Sequence, residues 1–118
     1  SLSKEVAHLG IKVLIVEPSG FRTDWAGRSA NEAPETIEDY RPSAGERMRQ
    51  NREASGNQPG DPVKAVQAIV KAVEAKDPPL RLLLGKIALD GAREKIGEMQ
   101  RDFDAWAEVS RGADAPKA

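Results

Sequence analysis

The sequence predicts an α/β fold organised on parallel strands, and three observations carry that expectation. Two short runs, IKVLIVE at 11–17 and LRLLL at 80–84, are rich in large aliphatic residues with little polar alternation, as in strands covered on both faces of a parallel sheet. Between them, Val63, Val66, Ile69, Val70 and Val73 fall along one side of a helix. A last stripe of Leu89, Ala92, Ile96, Met99, Phe103 and Trp106 alternates steps of three and four, which makes one apolar helix face. Parallel strands joined through a helix form one βαβ crossover, and such a pair buries both faces only with further strands and covering helices. The sequence therefore describes part of a sheet.

Ser1 to Leu9 reads as the end of an amphipathic helix, with Leu2, Val6 and Leu9 at helical spacing, and Gly10 suits the left-handed residue just past a helix. Pro18 closes the first strand because it has no amide proton for the ladder. From Ser19 to Gly60 the chain is polar and glycine-rich, with few large apolar residues beyond Phe21, Trp25, Ile37, Tyr40 and Met48. That pattern predicts a long connection with one or two short helices, and a surface lid over 26–60. Asp61-Pro62 opens the crossover helix, Asp capping free amides and Pro suiting the first helical position; Asp77-Pro78-Pro79 stops it near Lys76. Leu80–Leu84 is too short for a helix and lies between Pro-Pro and Gly85, so it predicts a second buried strand. Residues 86–110 predict a C-terminal helix, and 111–118 a small polar tail.

The chain has 118 residues, 39% hydrophobic, with 18 Lys+Arg against 19 Asp+Glu, one His and no Cys. Seventeen of the apolar residues are alanine, which leaves a thin stock for a core. Without Cys there are no disulfides, thiolate metal sites or thiol nucleophiles, and His8 alone cannot build a zinc site, so no metal is expected. A net charge of -1 gives no global field for nucleic acid or acidic lipid. No apolar run approaches the roughly 20 residues that cross a bilayer, and no secretory pattern opens the chain. The expectation is a cytoplasmic protein with neither nucleic-acid nor membrane partner.

Residues 11–25, IKVLIVEPSGFRTDW, resemble the strand and following loop of the short-chain dehydrogenase/reductases, where a buried strand runs into Pro-Gly and then a Thr. QPGDPVKAVQAIVKAV and PPLRLLLG, within 58–85, resemble the last helix and last strand of that family in order and spacing. SLSKEVAHLG resembles the end of the helix that carries the family's Tyr-x-x-x-Lys pair, and DFDAW suits its C-terminal helix. The resemblance covers nearly the whole chain. It implies the C-terminal part of a doubly wound parallel-sheet, Rossmann-type domain: 1–10 the end of the catalytic helix, 11–25 the strand and nicotinamide loop, 26–60 the substrate lid, 61–85 the helix and last strand, 86–110 the C-terminal helix.

It further implies NAD or NADP as cofactor, a small alcohol or carbonyl substrate, and hydride transfer between them. The family often assembles through its helices and last strand, so a homo-oligomer is also implied. Cofactor-binding residues carried over from the resemblance are Pro18, Ser19, Gly20, Phe21 and Thr23, with Trp25 and Tyr40 in the substrate lid. The loop lies beyond the carboxyl end of a parallel strand, where ligands of open α/β sheets bind. Ser19 stands where the family has Gly, which would strain the loop or shift its register if a positive φ were required there. The glycine-rich nucleotide loop, the Asn-Ala-Gly strand, the catalytic Ser and the Tyr-x-x-x-Lys are all absent, and Tyr40, the sole Tyr, is followed by Ala44 where a Lys would stand. No catalytic residue is therefore expected in this chain, and the chain alone is expected to be inactive.

Four features have plainer readings. Gly56-x-x-x-Gly60 has no strand before it and reads as a flexible approach to the Asp61 cap rather than a nucleotide loop. His8 reads as a solvent-facing residue at a helix end. Arg41, Arg47, Arg49 and Arg52 form a basic cluster diluted by Glu46 and Glu53, without interleaved aromatic residues, and read as a solvated face. The Leu89–Trp106 stripe supports an alternative of another class, a non-catalytic binding or interaction module, although Gly91 and Gly97 weaken its helix.

Overall fold

The computed structural model describes residues 1–116. Helix α1 (Leu2–Val6) tightens into a 3₁₀ turn at Ala7–Leu9 and stops at Gly10, whose φ of 73° lets its N–H reach Ala7 O at 3.1 Å. Strand β1 (Ile15–Pro18) then pairs in parallel with β2 (Arg81–Leu84), Ile15 opposite Arg81 and Pro18 opposite Leu84. The Ile15 N–H donates to Leu80 O at 2.8 Å, and the Ser19 N–H donates to Leu84 O at 2.9 Å. Across the pair Arg81 Nη1 meets Glu17 Oε1 at 2.7 Å.

β1 starts later than the apolar run 11–17 predicts. Among the described residues its one partner strand begins after Pro78-Pro79, which offer no amide protons, so residues 11–14 have no ladder to join. The Lys12 ammonium instead reaches Lys76 O at 2.5 Å, beyond the end of the crossover helix. That helix, α3, spans Pro62–Glu74. Asp61 Oδ1 accepts from Val63 N–H at 2.9 Å and Lys64 N–H at 3.4 Å, and Pro62 occupies the first turn, as the Asp-Pro pair predicts. The helix closes at Glu74, slightly before Lys76, with Ala75 already extended at ψ 141°.

The long connection holds two helical segments. A 3₁₀ turn at Asp24–Ala26 precedes an irregular stretch, and a 3₁₀ turn at Glu38–Tyr40 then runs through a π-turn at Arg41–Gly45 into α2 (Glu46–Glu53). After β2, α4 (Lys86–Ala105) and α5 (Ala107–Arg111) replace the single C-terminal helix expected. The break is local: Trp106 leaves helical geometry at φ −108°, ψ 10°, yet its N–H still donates to Asp102 O at 3.1 Å and its carbonyl still accepts from Ser110 at 3.0 Å. Of the polar tail expected at 111–118, Lys117 and Ala118 lie outside the described residues.

Burial is sparse. Among the described residues only Ala26, Gln58, Ala72 and Leu84 are buried, while Val63, Val66, Val70 and Val73 of α3 and Ile96, Phe103 and Trp106 at α4 stand exposed. Both strands are half-exposed rather than covered on each face as their composition predicts. The radius of gyration is 20.0 Å, against roughly 13 Å for a compact chain of this length. Two strands and the helices on hand cannot enclose the apolar stripes, and the α/β class is expressed here as one crossover with open faces.

Gly85 is the tightest point between sheet and C-terminal helix. Its φ is +99°, and the Ser19 hydroxyl occupies the space a Cβ would need. Gly91, by contrast, lies within α4 with nothing around it. Urea unfolding followed by helix signal should therefore separate the two: Gly85→Ala is expected to cost about 1–3 kcal/mol, and Gly91→Ala to add about 0.5–1 kcal/mol.

Candidate functional site

The segment after β1 is held by a segment far along the chain. Gly60 N–H donates to Gly20 O at 3.1 Å, Arg22 N–H donates to Gly60 O at 3.0 Å, and Phe21 bridges Gly60 in parallel fashion. Phe21 lies so close over Gly60 that a Cβ there would come within 2.6 Å of its ring. Arg22 Nε donates to Gln58 O at 2.6 Å. Gln58 itself is 8% exposed, and its Oε1 accepts from the Gly56 N–H at 2.9 Å, closing a turn in which Gly56 takes φ +82°. The long connection thus leaves and re-enters the fold through one narrow neck of backbone hydrogen bonds. Gly56 and Gly60 belong to that neck and lead into the Asp61 cap.

Beyond the carboxyl ends of β1 and β2 this neck borders a cavity of about 780 Å³. Pro18, Ser19, Gly20, Phe21 and Thr23 all stand in its wall, together with Leu84 from β2 and Ile69 from α3. Ser19 is not strained: among the described residues no residue other than glycine has a positive φ. The positive φ falls on Gly85 instead, and the Ser19 side chain rests against it. Thr23 Oγ1 accepts from Trp25 N–H at 3.4 Å, capping the 3₁₀ turn that follows. Trp25 reaches this wall also, whereas Tyr40 lies outside it. Gln58 and Gly85 were not singled out by sequence; a lone Gln before Pro59-Gly60 and a Gly after a strand carry no local signal of a neck or a close approach.

Tyr40 lines a second cavity, of about 530 Å³, inside the long connection. The irregular stretch contributes Ala33 and Ile37 to its lining, and the helical stretch contributes Ala44 and Met48. Outside it the basic cluster is largely neutralised: Arg41 pairs with Glu35 at 3.4 Å, Arg49 with Glu46, and Arg52 with Glu32. The hydrogen bond from Arg49, then that from Gln50, holds the Glu46 carboxyl below its ordinary value, and Glu46 in turn raises Arg49. His8 is exposed at the far end of the chain. Among the described residues no three His, Asp or Glu side chains gather as a metal site would require, and no helix is long and apolar enough to cross a membrane.

No protein-family model matches the chain. It is 37% identical over 109 residues, 92% of its length, to a Botryotinia fuckeliana protein named Oxidoreductase BOA17, of which it covers 39%. Among solved structures it is similar to a short-chain dehydrogenase from Streptomyces avermitilis, with a TM-score of 0.78 and 42% identity across 96% of this chain and 40% of that one. The chain spans about two fifths of the length of these relatives.

Arg22→Leu removes the side-chain half of the neck and leaves its backbone half. Amide exchange at Arg22 and Gly60 is expected to quicken roughly fivefold, equivalent to about 1 kcal/mol for a hydrogen bond partly open to water. For Glu46, whose folded pKa is lowered, the support given to α2 is present above the unfolded value and lost as pH falls through the folded one. An NMR titration should find this carboxyl below an ordinary glutamate, and Arg49→Ala should raise it.

Proposed function

Because the chain carries a portion of the short-chain dehydrogenase/reductase fold, we propose that it forms the nicotinamide-end wall and substrate lid of an NAD(P)-dependent oxidoreductase acting on an alcohol/carbonyl pair. One observation carries this reading: the Pro18–Thr23 loop lies past the carboxyl ends of two parallel strands, and its residues converge on one cavity with Leu84 and Ile69. That is where open α/β sheets take their ligands. The wall suits a flat heteroaromatic amide. Pro18 and Phe21 offer apolar surface, and the Thr23 hydroxyl, which only accepts from Trp25, keeps its own proton for a carboxamide or phosphate oxygen.

When bound, the cofactor supplies or receives the hydride. In this reading the chain's own residues bind, orient and shield: the neck holds the loop at the strand ends, Thr23 donates one hydrogen bond, and residues 26–60 cover the substrate with Trp25 and Tyr40 on their inner surface. Proton transfer to the substrate oxygen belongs to the family's Tyr and Lys, which this chain lacks, so the chain alone is not catalytic. A second reading, a non-catalytic interaction module, is favoured by the exposed Ile96, Phe103 and Trp106 at α4.

Pure chain, free of host reductases, should give no turnover of NADH or NADPH with a panel of aldehydes and ketones; turnover would refute the division of labour. Grafted in place of the matching two fifths of the Streptomyces protein, the chain should support nicotinamide-dependent turnover. Thr23→Ala in that chimera should reduce it by roughly tenfold, the worth of one hydrogen bond of about 1.4 kcal/mol. For the module reading the decisive quantity is the solution mass of a peptide covering 89–109: a helical oligomer supports it, and a dilute, unstructured monomer counts against it.

A further inference from the structure

Apart from Trp25, the second cavity is lined by the proposed lid, and the nicotinamide reading names no group that occupies it. Its volume of about 530 Å³ is in the range of small-molecule sites, roughly 300–1,000 Å³. Small side chains at Ala30, Ala33 and Ala44 leave the space open, while Ile37, Tyr40 and Met48 provide apolar contact. Met is well suited to fit irregular apolar groups.

Two further observations define what would fit. The cavity shares Trp25, Ala26 and Asn51 with the larger cavity at the strand ends, so a molecule could span the two around that common wall. Its charged wall residues are both acids, Glu32 and Glu35. Their partners Arg52 and Arg41 line a third, adjoining cavity that shares both acids, and among the described residues no Lys or Arg lines the lid cavity. An anion entering would lose water and meet two carboxylates, whose guanidinium partners do not line this cavity.

We infer that this lid cavity seats the apolar arm of an uncharged substrate, a group of about aryl size, and selects against anionic analogues of the same shape. The position of the reacting carbon, in the neighbouring cavity, rests on the nicotinamide reading; the seat for the arm rests on the lid alone.

The test uses the full chain with Trp106→Phe, which leaves Trp25 as its one indole. Two probes share a ring system and differ in charge, neutral 2-acetonaphthone and anionic 2-naphthoate. Saturable quenching of Trp25 by the ketone, at least tenfold tighter than by the naphthoate, is the result expected. Met48→Glu, which adds a charge to the wall, and Ala44→Leu, which fills it, should each weaken the ketone at least tenfold, with helix content checked for each. Non-saturating quenching, or equal affinity for the two probes on the parent chain, overturns the inference without recourse to any variant. Nicotinamide mononucleotide is titrated in parallel and read by the amide shift of Thr23. A chain that binds the ketone but not the mononucleotide retains the lid site and loses the nicotinamide reading. One that binds the mononucleotide but not the ketone does the reverse.

Discussion

The arrangement of the molecule depends on the neck where Gly20–Arg22 meets Gln58–Gly60. A parallel ladder between β1 and β2 sets the direction in which the chain leaves the sheet, and the neck then returns it to the start of α3. Without those backbone bonds, the residues between would be joined to the fold at two independent points, with the large entropy of a long free connection. With them, the connection is a closed loop on a fixed base. Two glycines make the base possible for different reasons: Gly60 accepts the Phe21 ring where a Cβ would collide, and Gly56 takes the left-handed turn that brings Gln58 beneath the loop.

Every large apolar stripe beyond this base faces outward. The valines of α3 and the Ile96–Trp106 side at α4 have the spacing of core-facing helices and the exposure of a surface. The relatives are about two and a half times as long as this chain, and a doubly wound sheet covers such stripes with strands and helices drawn from its whole length. The exposed faces and the half-covered strands express the same shortage of partners, and apolar burial is confined, among the described residues, to Ala26, Ala72 and Leu84.

Charge within the long connection is arranged by local pairing. Arg41, Arg49 and Arg52 each meet a glutamate, and the basic cluster read from sequence as a solvated face is a largely paired outer face. Exposed pairs of this kind contribute little to stability singly. Their consequence is spatial: they draw the cations outward and leave the inner cavity lined by alanines, Ile37, Tyr40 and Met48.

The sequence by itself determined what local chemistry decides. Asp61-Pro62 opened α3, Gly10 ended the first helix, Pro78-Pro79 limited the second strand, and two aliphatic runs marked the parallel pair; each acts through its own backbone within a few residues. The order of those elements was legible for the same reason, whereas the loop from Pro18 to Thr23 was singled out by its resemblance to the short-chain dehydrogenase/reductases. Only the tertiary structure decided that Ser19 keeps an ordinary φ and rests its side chain against Gly85, that Gln58 is buried with its carbonyl held by Arg22, and that Trp25 borders two cavities, of which Tyr40 lines only the one in the lid. Those outcomes come from meetings between residues separated by long stretches of chain, such as Gly20 with Gly60 and Ser19 with Gly85, and periodicity along the sequence carries no record of which distant backbone a residue will touch.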